Sequence, residues 1–461
     1  MNRIVALIII LLPCWSVAGQ TLTLDEVLTS AQQAFPNLLI AQQRQRASEG
    51  EHQAAEGGFD TLLKSRNSYS VIGIYENQNN DISIEQPTSL GGTTFFGGWR
   101  RGAGDYAVYD GKSLTAEEGE MRLGVNIPLW RNRDIDSRRA GLKKAELGLG
   151  IADHEFDQTL LEISRLATHR YWDWVLAGQR LQITERLLNI AEQRNDGIRQ
   201  RVAAGDIPEF EALDNQRAII ERQERKVAAQ RLLEQTAIQL SLYWRDADGQ
   251  PKLPDSRQLP ATFPPHESNN TLDYQKALEI ARAQRPDLQR LDLQIEQNKT
   301  ELELQENQLA PAVDLSVTGS QDIGNGEKKL NRSELYLGLN VDIPLQRRVA
   351  TGRTQVAAAN LQRLKLEQNL LDNRIAAEIK DILSALSAAQ QRLVLTQSQQ
   401  KATQQLEDGE RTRFELGETT LLFVNLREIA NGDAALLSAE ATSNLLKGLA
   451  DYRAALGKPA Y

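Results

Sequence analysis

The spacing of apolar residues predicts two long helices. In the first half of the chain, apolar positions recur at helical spacing at Leu188, Ala191, Ile198 and Val202. In the second half, they alternate in steps of four and three, the spacing of a coiled-coil seam, at Ile375, Ile379, Ile382, Leu386, Ala389 and Leu393. No proline interrupts either region. We therefore predict helices at about 136–203 and 350–415, each ~100 Å long. Shorter flanking helices are predicted near 24–58, 208–246, 270–309 and 420–456.

Two segments instead show the period-two alternation of strands. In SELYLGLNVDIPL, from Ser333, and EMRLGVNIPL, from Glu120, apolar residues alternate with polar residues or glycine. Their predicted partners are NSYSVIGIYE at 67–76 and PAVDLSVTGS at 311–320. The fold class is therefore mainly α with a small β part, with four strands in each chain.

Strands of this kind suit either a membrane or a soluble sheet. A tilted transmembrane strand needs about 9–11 residues, which is the length of these segments. An open sheet of four strands leaves unpaired edges, which hydrocarbon does not tolerate, so several chains would have to close a barrel together. Three chains would supply twelve strands. The alternative, a soluble sheet capping a helical rod, is left open by the residues alone.

The chain also contains an internal duplication. DGIRQRVAAG at 196–205 returns as DGERTRFELG at 408–417, and LGVNIPL at 123–129 returns as LNVDIPL at 339–345. A Pro-Asn/Asp-Leu step at Pro36 is matched at Pro286. We predict a first repeat at 19–246, a proline-rich linker at 247–270, a second repeat at 271–457 and a tail at 458–461. The longest insertion between repeats is 77–118, predicted to be a solvent-exposed loop.

Composition and the amino terminus place the chain in a cell envelope. Residues 1–18 combine Arg3, an apolar stretch and the small-residue site Ser16-Val17-Ala18, the pattern of a secretion signal. Its removal would also remove Cys14, the only cysteine. The formal net charge of −9, with both signs interspersed, argues against nucleic acid as a partner.

Motifs of catalysis or cofactor binding do not stand out. The four histidines, at positions 52, 154, 169 and 266, show no paired ligand spacing, and no phosphate-binding glycine loop is visible. Trp172 and Trp174 on a long helix are expected to pack between neighbours. We therefore predict no enzyme activity, no cofactor and no metal site.

Taken together in this order, the duplicated features resemble the TolC-like outer-membrane efflux channel family. The resemblance rests on the opening TLDEVLTSAQQAFPNL, the turns NIPLW and DIPLQ, and the two Arg-x-x-x-Gly turns. It implies a homotrimer in which duplicated helical hairpins form an α-barrel tunnel. It also implies a shared 12-stranded transmembrane β-barrel in outer-membrane lipid, with the loop 77–118 at the outer surface.

The resemblance assigns a role to the repeated turns. It implies that Arg201, Gly205, Arg413 and Gly417 lie at the periplasmic end and face a periplasmic adaptor protein. The alternative is that they only cap the long helices, because glycine accepts a positive φ and arginine complements the helix dipole.

One departure from the family concerns the tunnel entrance. Many members carry acidic residues six and nine places after the second-half glycine, where this chain has Phe423 and Leu426. In the first half, the same spacing gives Glu211 and Asp214. We therefore predict a constriction built from Phe423 and Asn425, with Arg427 pairing to Glu211 or Asp214.

The function predicted is an exit duct of a tripartite efflux or type I secretion system. It would conduct cargo passively from the periplasm to the exterior, with an inner-membrane pump supplying energy through the adaptor. The alternatives are a periplasmic adaptor and a coiled-coil structural protein of the envelope. An adaptor has one helical hairpin and many short strands, whereas this chain has two helical halves and few strands.

Overall fold

The computed structural model describes residues 21–107, 113–265 and 273–459. The predicted signal peptide at 1–18 and His266 lie outside these residues. The described chain divides into two compact units, which we describe separately. The helical unit comprises residues up to Leu39, Thr159–Gln284 and residues from Ile375 onward, and the sheet unit comprises Ile40–Gln158 and Arg285–Arg374.

Eight α-helices lie in the described residues, close to the predicted positions. They are α1 Leu24–Ala34, α2 Pro36–Glu56, α3 Ser137–Ala203, α4 Glu209–Ser241, α5 Tyr274–Gln284, α6 Pro286–Asn307, α7 Arg348–Glu415 and α8 Leu421–Ala455. Two predicted helices, 24–58 and 270–309, are each divided in two. The breaks fall at Phe35 and Arg285, which are extended because each precedes a proline.

The sheet has six strands, and the prediction of four is wrong. The strands are β1 Leu62–Ser70, β2 Asn77–Pro87, β3 Thr94–Gly104, β4 Glu120–Pro128, β5 Ala312–Asp322 and β6 Glu334–Asp342. They lie side by side in sequence order, and every neighbouring pair is antiparallel. The sheet is open in one chain, with β1 at one edge and β6 at the other.

Two corrections follow from this sheet. The first strand occupies 62–70 instead of 67–76, and the residues after Ser70 form the turn into β2. The segment 77–118 is not a loop over its whole length, because it contains β2 and β3. The polar start NQNND of β2 and the glycines of β3 have low strand propensity, so the alternation signal is short there. Pairing with strands on both sides outweighs that weak preference.

The core of the helical unit is aromatic. Trp174 is fully buried, and Trp172 packs against Phe263 with ring centroids 5.9 Å apart. Tyr171 donates a 2.9 Å hydrogen bond from its hydroxyl to the carbonyl of Leu22. Both tryptophans therefore pack between neighbouring elements, as the sequence predicted.

The predicted coiled-coil seams are also buried. Leu386 and Leu393 of α7 pack against Ala441 and Leu445 of α8. On the first hairpin, Leu188 and Ala191 of α3 pack against Ile219 of α4. The apolar repeat thus pairs each long helix with the helix that follows it.

The described part of the proline-rich linker lies against the helical unit. Leu259 and Phe263 pack on the aromatic core, and Gln179 donates a 2.9 Å hydrogen bond to the carbonyl of Ala261. A side chain at Gly178 would come within 2.7 Å of Leu259. The linker is therefore held closely against α3.

Candidate functional site

The turns that follow α3 and α7 have the same backbone geometry. Gly205 has φ +80° and Gly417 has φ +79°. In the first turn, Asp206 N–H donates to the Arg201 carbonyl at 2.9 Å and Gly205 N–H to the Val202 carbonyl at 3.0 Å. The second turn repeats both bonds, from Glu418 to Arg413 and from Gly417 to Phe414. This paired bonding is the Schellman motif, and glycine supplies the left-handed residue it requires. The predicted helix stops are therefore confirmed.

The two repeated arginines have different partners. The Arg201 guanidinium lies over the Phe414 ring, 5.6 Å from its centroid, so it connects the first turn to the second. Arg413 lies on the exposed side, with Glu410 at 3.6 Å and Glu418 at 3.9 Å. The duplication therefore conserves the turn geometry within the chain, but only one of the two arginines bridges the hairpins.

Exposed apolar side chains surround the turns. Six leucine and phenylalanine side chains near the two turns are each more than half exposed: Phe210, Leu213, Leu416, Leu422, Phe423 and Leu426. Such a concentration is uncommon on a monomer surface and is typical of an interaction site.

The predicted constriction residues lie near one another, but one predicted contact is absent. Asn425 donates a 3.2 Å hydrogen bond from its side chain to the Asp214 carboxylate. Arg427 lies 4.0 Å from Glu410, and in the described chain it pairs with neither Glu211 nor Asp214. That prediction is corrected, because Arg427 projects toward α7 and not toward α4. Burial raises the pKa of Glu211, the charge of Asp214 raises it further, and Arg201 opposes both effects.

A buried ionic network that the sequence analysis missed joins the two hairpins. Glu428 of α8 is fully buried. Its carboxylate accepts hydrogen bonds from Arg194 of α3 at 2.9 Å and from Arg222 of α4 at 2.7 Å. Burial lowers the pKa of Arg194, and the facing Glu428 carboxylate offsets part of that effect. The two ion pairs of Glu428 therefore lie in a largely buried region between the hairpins.

The network continues toward α7 along one face of α8. Asn431 donates a 2.5 Å hydrogen bond to Glu407 and a 2.7 Å bond to Gln404. Asn425, Glu428 and Asn431 are spaced three residues apart, so they share the face of α8 that is otherwise apolar. That spacing was the sequence signal for a buried polar network. The partners of Asn425 and Glu428 could not be identified from the sequence because they are more than 200 positions away.

Each described histidine lies near a single acidic residue and is not part of a cluster. His169 lies 2.9 Å from Asp451 of α8, His52 lies 3.8 Å from Glu56, and His154 lies 3.9 Å from Asp157. Among the described residues, no group of three or more potential ligands is placed to hold a metal ion. None of the described helices has an apolar stretch long enough to cross a membrane.

The sheet unit has two unlike faces over β4, β5 and β6. One face is apolar and formed by Met121, Leu123, Val125, Ile127, Val313, Leu315, Val317, Leu335, Leu337, Leu339 and Val341. The other carries polar residues and glycine, including Arg122, Asn126, Ser316, Thr318 and Asn340. Leu335, Leu337 and Leu339 are each more than 60% exposed in the single chain, so the apolar face is uncovered. The predicted alternation is confirmed.

Solved outer-membrane proteins share this fold. No family model and no curated protein sequence matches the chain. The open-state outer-membrane channel MtrE of Neisseria gonorrhoeae superposes with TM-score 0.66 at 15% identity, over 95% of this chain and 89% of that one.

Two further structures give the same result. The outer-membrane channel CmeC of Campylobacter jejuni has TM-score 0.65 and 12% identity, over 94% of this chain and 85% of that one. The outer-membrane protein VceC of Vibrio cholerae has TM-score 0.64 and 16% identity, over 95% and 97%. The chain therefore has the fold of the outer-membrane channels, the fold that its resemblance to the TolC-like family predicted.

Proposed function

We propose that this protein is an outer-membrane exit duct of a Gram-negative bacterium. The observation that carries the proposal is the six-stranded sheet, which over β4, β5 and β6 is apolar on one face and polar on the other, and which is unpaired at both edges in the described part of one chain. Lipid would cover the apolar face, and a water-filled lumen would lie against the polar face. The shared fold with outer-membrane channels supports this assignment.

The unpaired edges require other copies of the chain. Backbone groups at the edge of a sheet lose several kcal/mol when they enter hydrocarbon without partners. Closure of the sheet by pairing β1 of one chain with β6 of the next satisfies both edges. We propose a homotrimer, as the resemblance implies, with the duplicated hairpins of each chain contributing to a helical tunnel through the periplasm.

The turns after α3 and α7 are the proposed docking site for a periplasmic adaptor. Arg201, Gly205, Arg413 and Gly417 form two equivalent turns within one chain, which suits a partner that meets both hairpins in a similar way. The exposed apolar side chains around the turns provide the apolar part of that contact.

A constriction beside these turns completes the proposal. Phe423 is half exposed, and Asn425 bonds to Asp214 close to Glu211. In a trimer these residues would form a ring that narrows the tunnel. Arg427, which is paired with Glu410, would lie beside this ring and would not reach across the tunnel.

The duct is proposed to be passive and part of a tripartite efflux or type I secretion system. The inner-membrane pump would supply the energy, and the adaptor would join the pump to the duct.

Membrane fractionation and electrical recording test the proposal. The full chain, expressed in a Gram-negative host, is expected in the outer membrane and to migrate as a trimer in mild detergent. The purified trimer is expected to produce stepwise currents in planar bilayers. A soluble, monomeric product that produces no current would overturn the proposal and favour a structural protein.

A further inference from the structure

Strands β2 and β3 lie inside the sheet and not beside it. The order of strands places the β2–β3 hairpin between β1 and β4. β2 is paired with β1 from Asn77 to Glu85, and β3 is paired with β4 from Thr94 to Arg100. The hairpin therefore separates the strand that follows α2 from the strand that leads to α3, and both its edges are occupied.

The hairpin also runs the full height of the sheet. At its turn, Gln86 donates a 2.8 Å hydrogen bond to the carbonyl of Phe59, just before β1. Gly92 lies so close to the chain after β4 that a Cβ there would come within 2.5 Å of the Asn132 carbonyl oxygen. The turn thus reaches the end of the sheet where β1 begins and β4 ends. A loop on the outer surface would not reach that end.

The apolar face continues across the hairpin. Ile84 lies between Leu63 of β1 and Gly97 of β3, and Gly97 lies opposite Leu123 of β4. In the next apolar row, Ile82, Trp99 and Met121 are in register. A shallow depression, open to the surroundings, lies over these rows. The apolar band therefore covers β2, β3 and β4 and continues to Leu63 of β1 and Leu335 of β6, while Ser65 of β1 and Gln321 of β5 lie at its margin.

The apolar band shifts in register from one strand to the next, as it does in a closed barrel. The apolar residues of β6, Leu335 to Val341, lie in register with positions 123–129 of the β4 segment. On β2, Ile82 and Ile84 lie in register with positions 121 and 123. The centre of the band thus shifts by about four residues over four strands. A shift of about one residue per strand is what a level membrane band requires when the strands tilt in a closed barrel.

Ion pairs on the polar face connect the β2–β3 hairpin to the rest of the sheet. Arg122 of β4 forms an ion pair with Asp81 of β2, across the intervening strand β3. Gly98 of β3 lies in register with Arg122, so no side chain obstructs the crossing. Arg100 of β3 bonds to Glu120 of β4 at 2.6 Å. These charges lie on the face opposite the apolar band, where a lumen would hold water.

We propose that β2 and β3 are strands of the membrane wall, covered by lipid acyl chains on their apolar side. Each chain then supplies six strands, and three chains close an eighteen-stranded barrel in place of the twelve predicted. Barrel diameter grows roughly linearly with strand number, so the lumen is about half as wide again. Barrels of 16–18 strands leave an open aqueous channel. The exit therefore admits bulkier cargo than twelve strands allow.

This inference rests on the proposed function and is tested by nitroxide labels in vesicles. Single cysteines are placed in full-length chains carrying C14S, so that the label is the only reactive thiol. Ile84→Cys and Ser83→Cys are neighbours on opposite faces of β2. Leu339→Cys and Asn340→Cys provide the matched pair on β6. The collision rates of each label with oxygen, which concentrates in lipid, and with a water-soluble nickel chelate are measured by electron paramagnetic resonance.

The label pair on β2 tests the six-strand wall, and the label pair on β6 tests the proposed duct. We expect the ratio of oxygen to nickel collision rates to be severalfold higher at 84 than at 83, and likewise at 339 than at 340. A contrast at 339 and 340 with none at 83 and 84, both being water-accessible, would overturn the six-strand wall and leave the duct intact. No contrast at either pair would overturn the proposed function itself.

Discussion

Single residues fix the ends of the long helices and the contacts between hairpins. Gly205 and Gly417 adopt a left-handed conformation without close contacts to other side chains, so their requirement for glycine is conformational. Glu428 and Asp451, by contrast, act through partners on other helices. These roles predict different consequences of substitution.

Replacing either turn glycine should destabilise its hairpin. Gly205→Ala and Gly417→Ala should each lower the free energy of unfolding by about 1–2 kcal/mol, the cost of a left-handed non-glycine residue. The control is Gly197→Ala inside α3, six residues before the helix ends at Ala203, where a Cβ meets nothing within 4 Å. That change should raise stability by about 1 kcal/mol, because alanine favours helix over glycine. Denaturant unfolding distinguishes the cases, and equal effects at positions 197 and 205 would contradict the assignment.

Asp451 gives the helical unit an acid-sensitive contact. Burial alone would raise the pKa of Asp451, but the hydrogen bonds and charges of His169 and Arg165 outweigh it and lower the pKa. A lowered carboxyl pKa means that its contribution is complete above about pH 4 and is lost as the pH falls through the lowered value. Asp451→Asn should therefore be less stable than wild type at pH 7, with the difference shrinking below about pH 4.

Thermal melts across this pH range provide the measurement for Asp451. Asp433→Asn, on an exposed position of the same helix, is the control and should follow wild type at every pH. A difference between Asp451→Asn and wild type that is constant with pH would remove the ionic explanation.

At the scale of elements, the two helical hairpins are held together by the buried Glu428 network. Glu428→Gln removes the charge that faces Arg194 and Arg222 and should lower the free energy of unfolding by about 3 kcal/mol, as expected for a broken buried pair. The control Glu440→Gln breaks a partly exposed 2.8 Å pair with Arg180. It should cost less than about 1 kcal/mol. Similar losses in both variants, measured by denaturant unfolding, would show that burial of the network is unimportant.

The two faces of the sheet should tolerate charge differently. Val317→Lys places a cation on the apolar face, where a lipid-exposed lysine costs about 2–4 kcal/mol at the bilayer midplane. Ser316→Lys places the same charge on the polar face and should be tolerated. The fraction of chains that assemble into trimers in vesicles measures the difference. Equal assembly of the two variants would argue against a lipid-covered face.

The success of sequence-based prediction varied among these elements for physical reasons. The helices α3 and α7 were placed within two residues at each end because a long apolar period and the next proline or glycine mark their limits. Strands β4 and β6 were found because they alternate strictly. Strands β2 and β3 were missed because their pairing, and not their own composition, stabilises them. The Glu428 network was missed because its partners come from other helices.

At the scale of the whole molecule, the proposed function requires several copies of the chain to assemble. The sheet of one chain ends in two unpaired strands, and its apolar face is exposed. Lipid does not tolerate an unpaired edge and water disfavours an exposed apolar face, whereas the proposed assembly of copies edge to edge within a membrane would satisfy both. We therefore predict that folding of the sheet unit, insertion and trimer formation occur together.

Conductance through the assembled chain shows whether the polar face of the sheet lines a pore. Trimers carrying C14S and either Ser316→Cys on the polar face or Val317→Cys on the apolar face are recorded in planar bilayers. A charged, membrane-impermeant thiol reagent is then added. We predict that the reagent reduces the current through Ser316→Cys channels and leaves Val317→Cys channels unchanged. Absence of current from either trimer, or equal block of both, would contradict a pore lined by the polar face of this sheet.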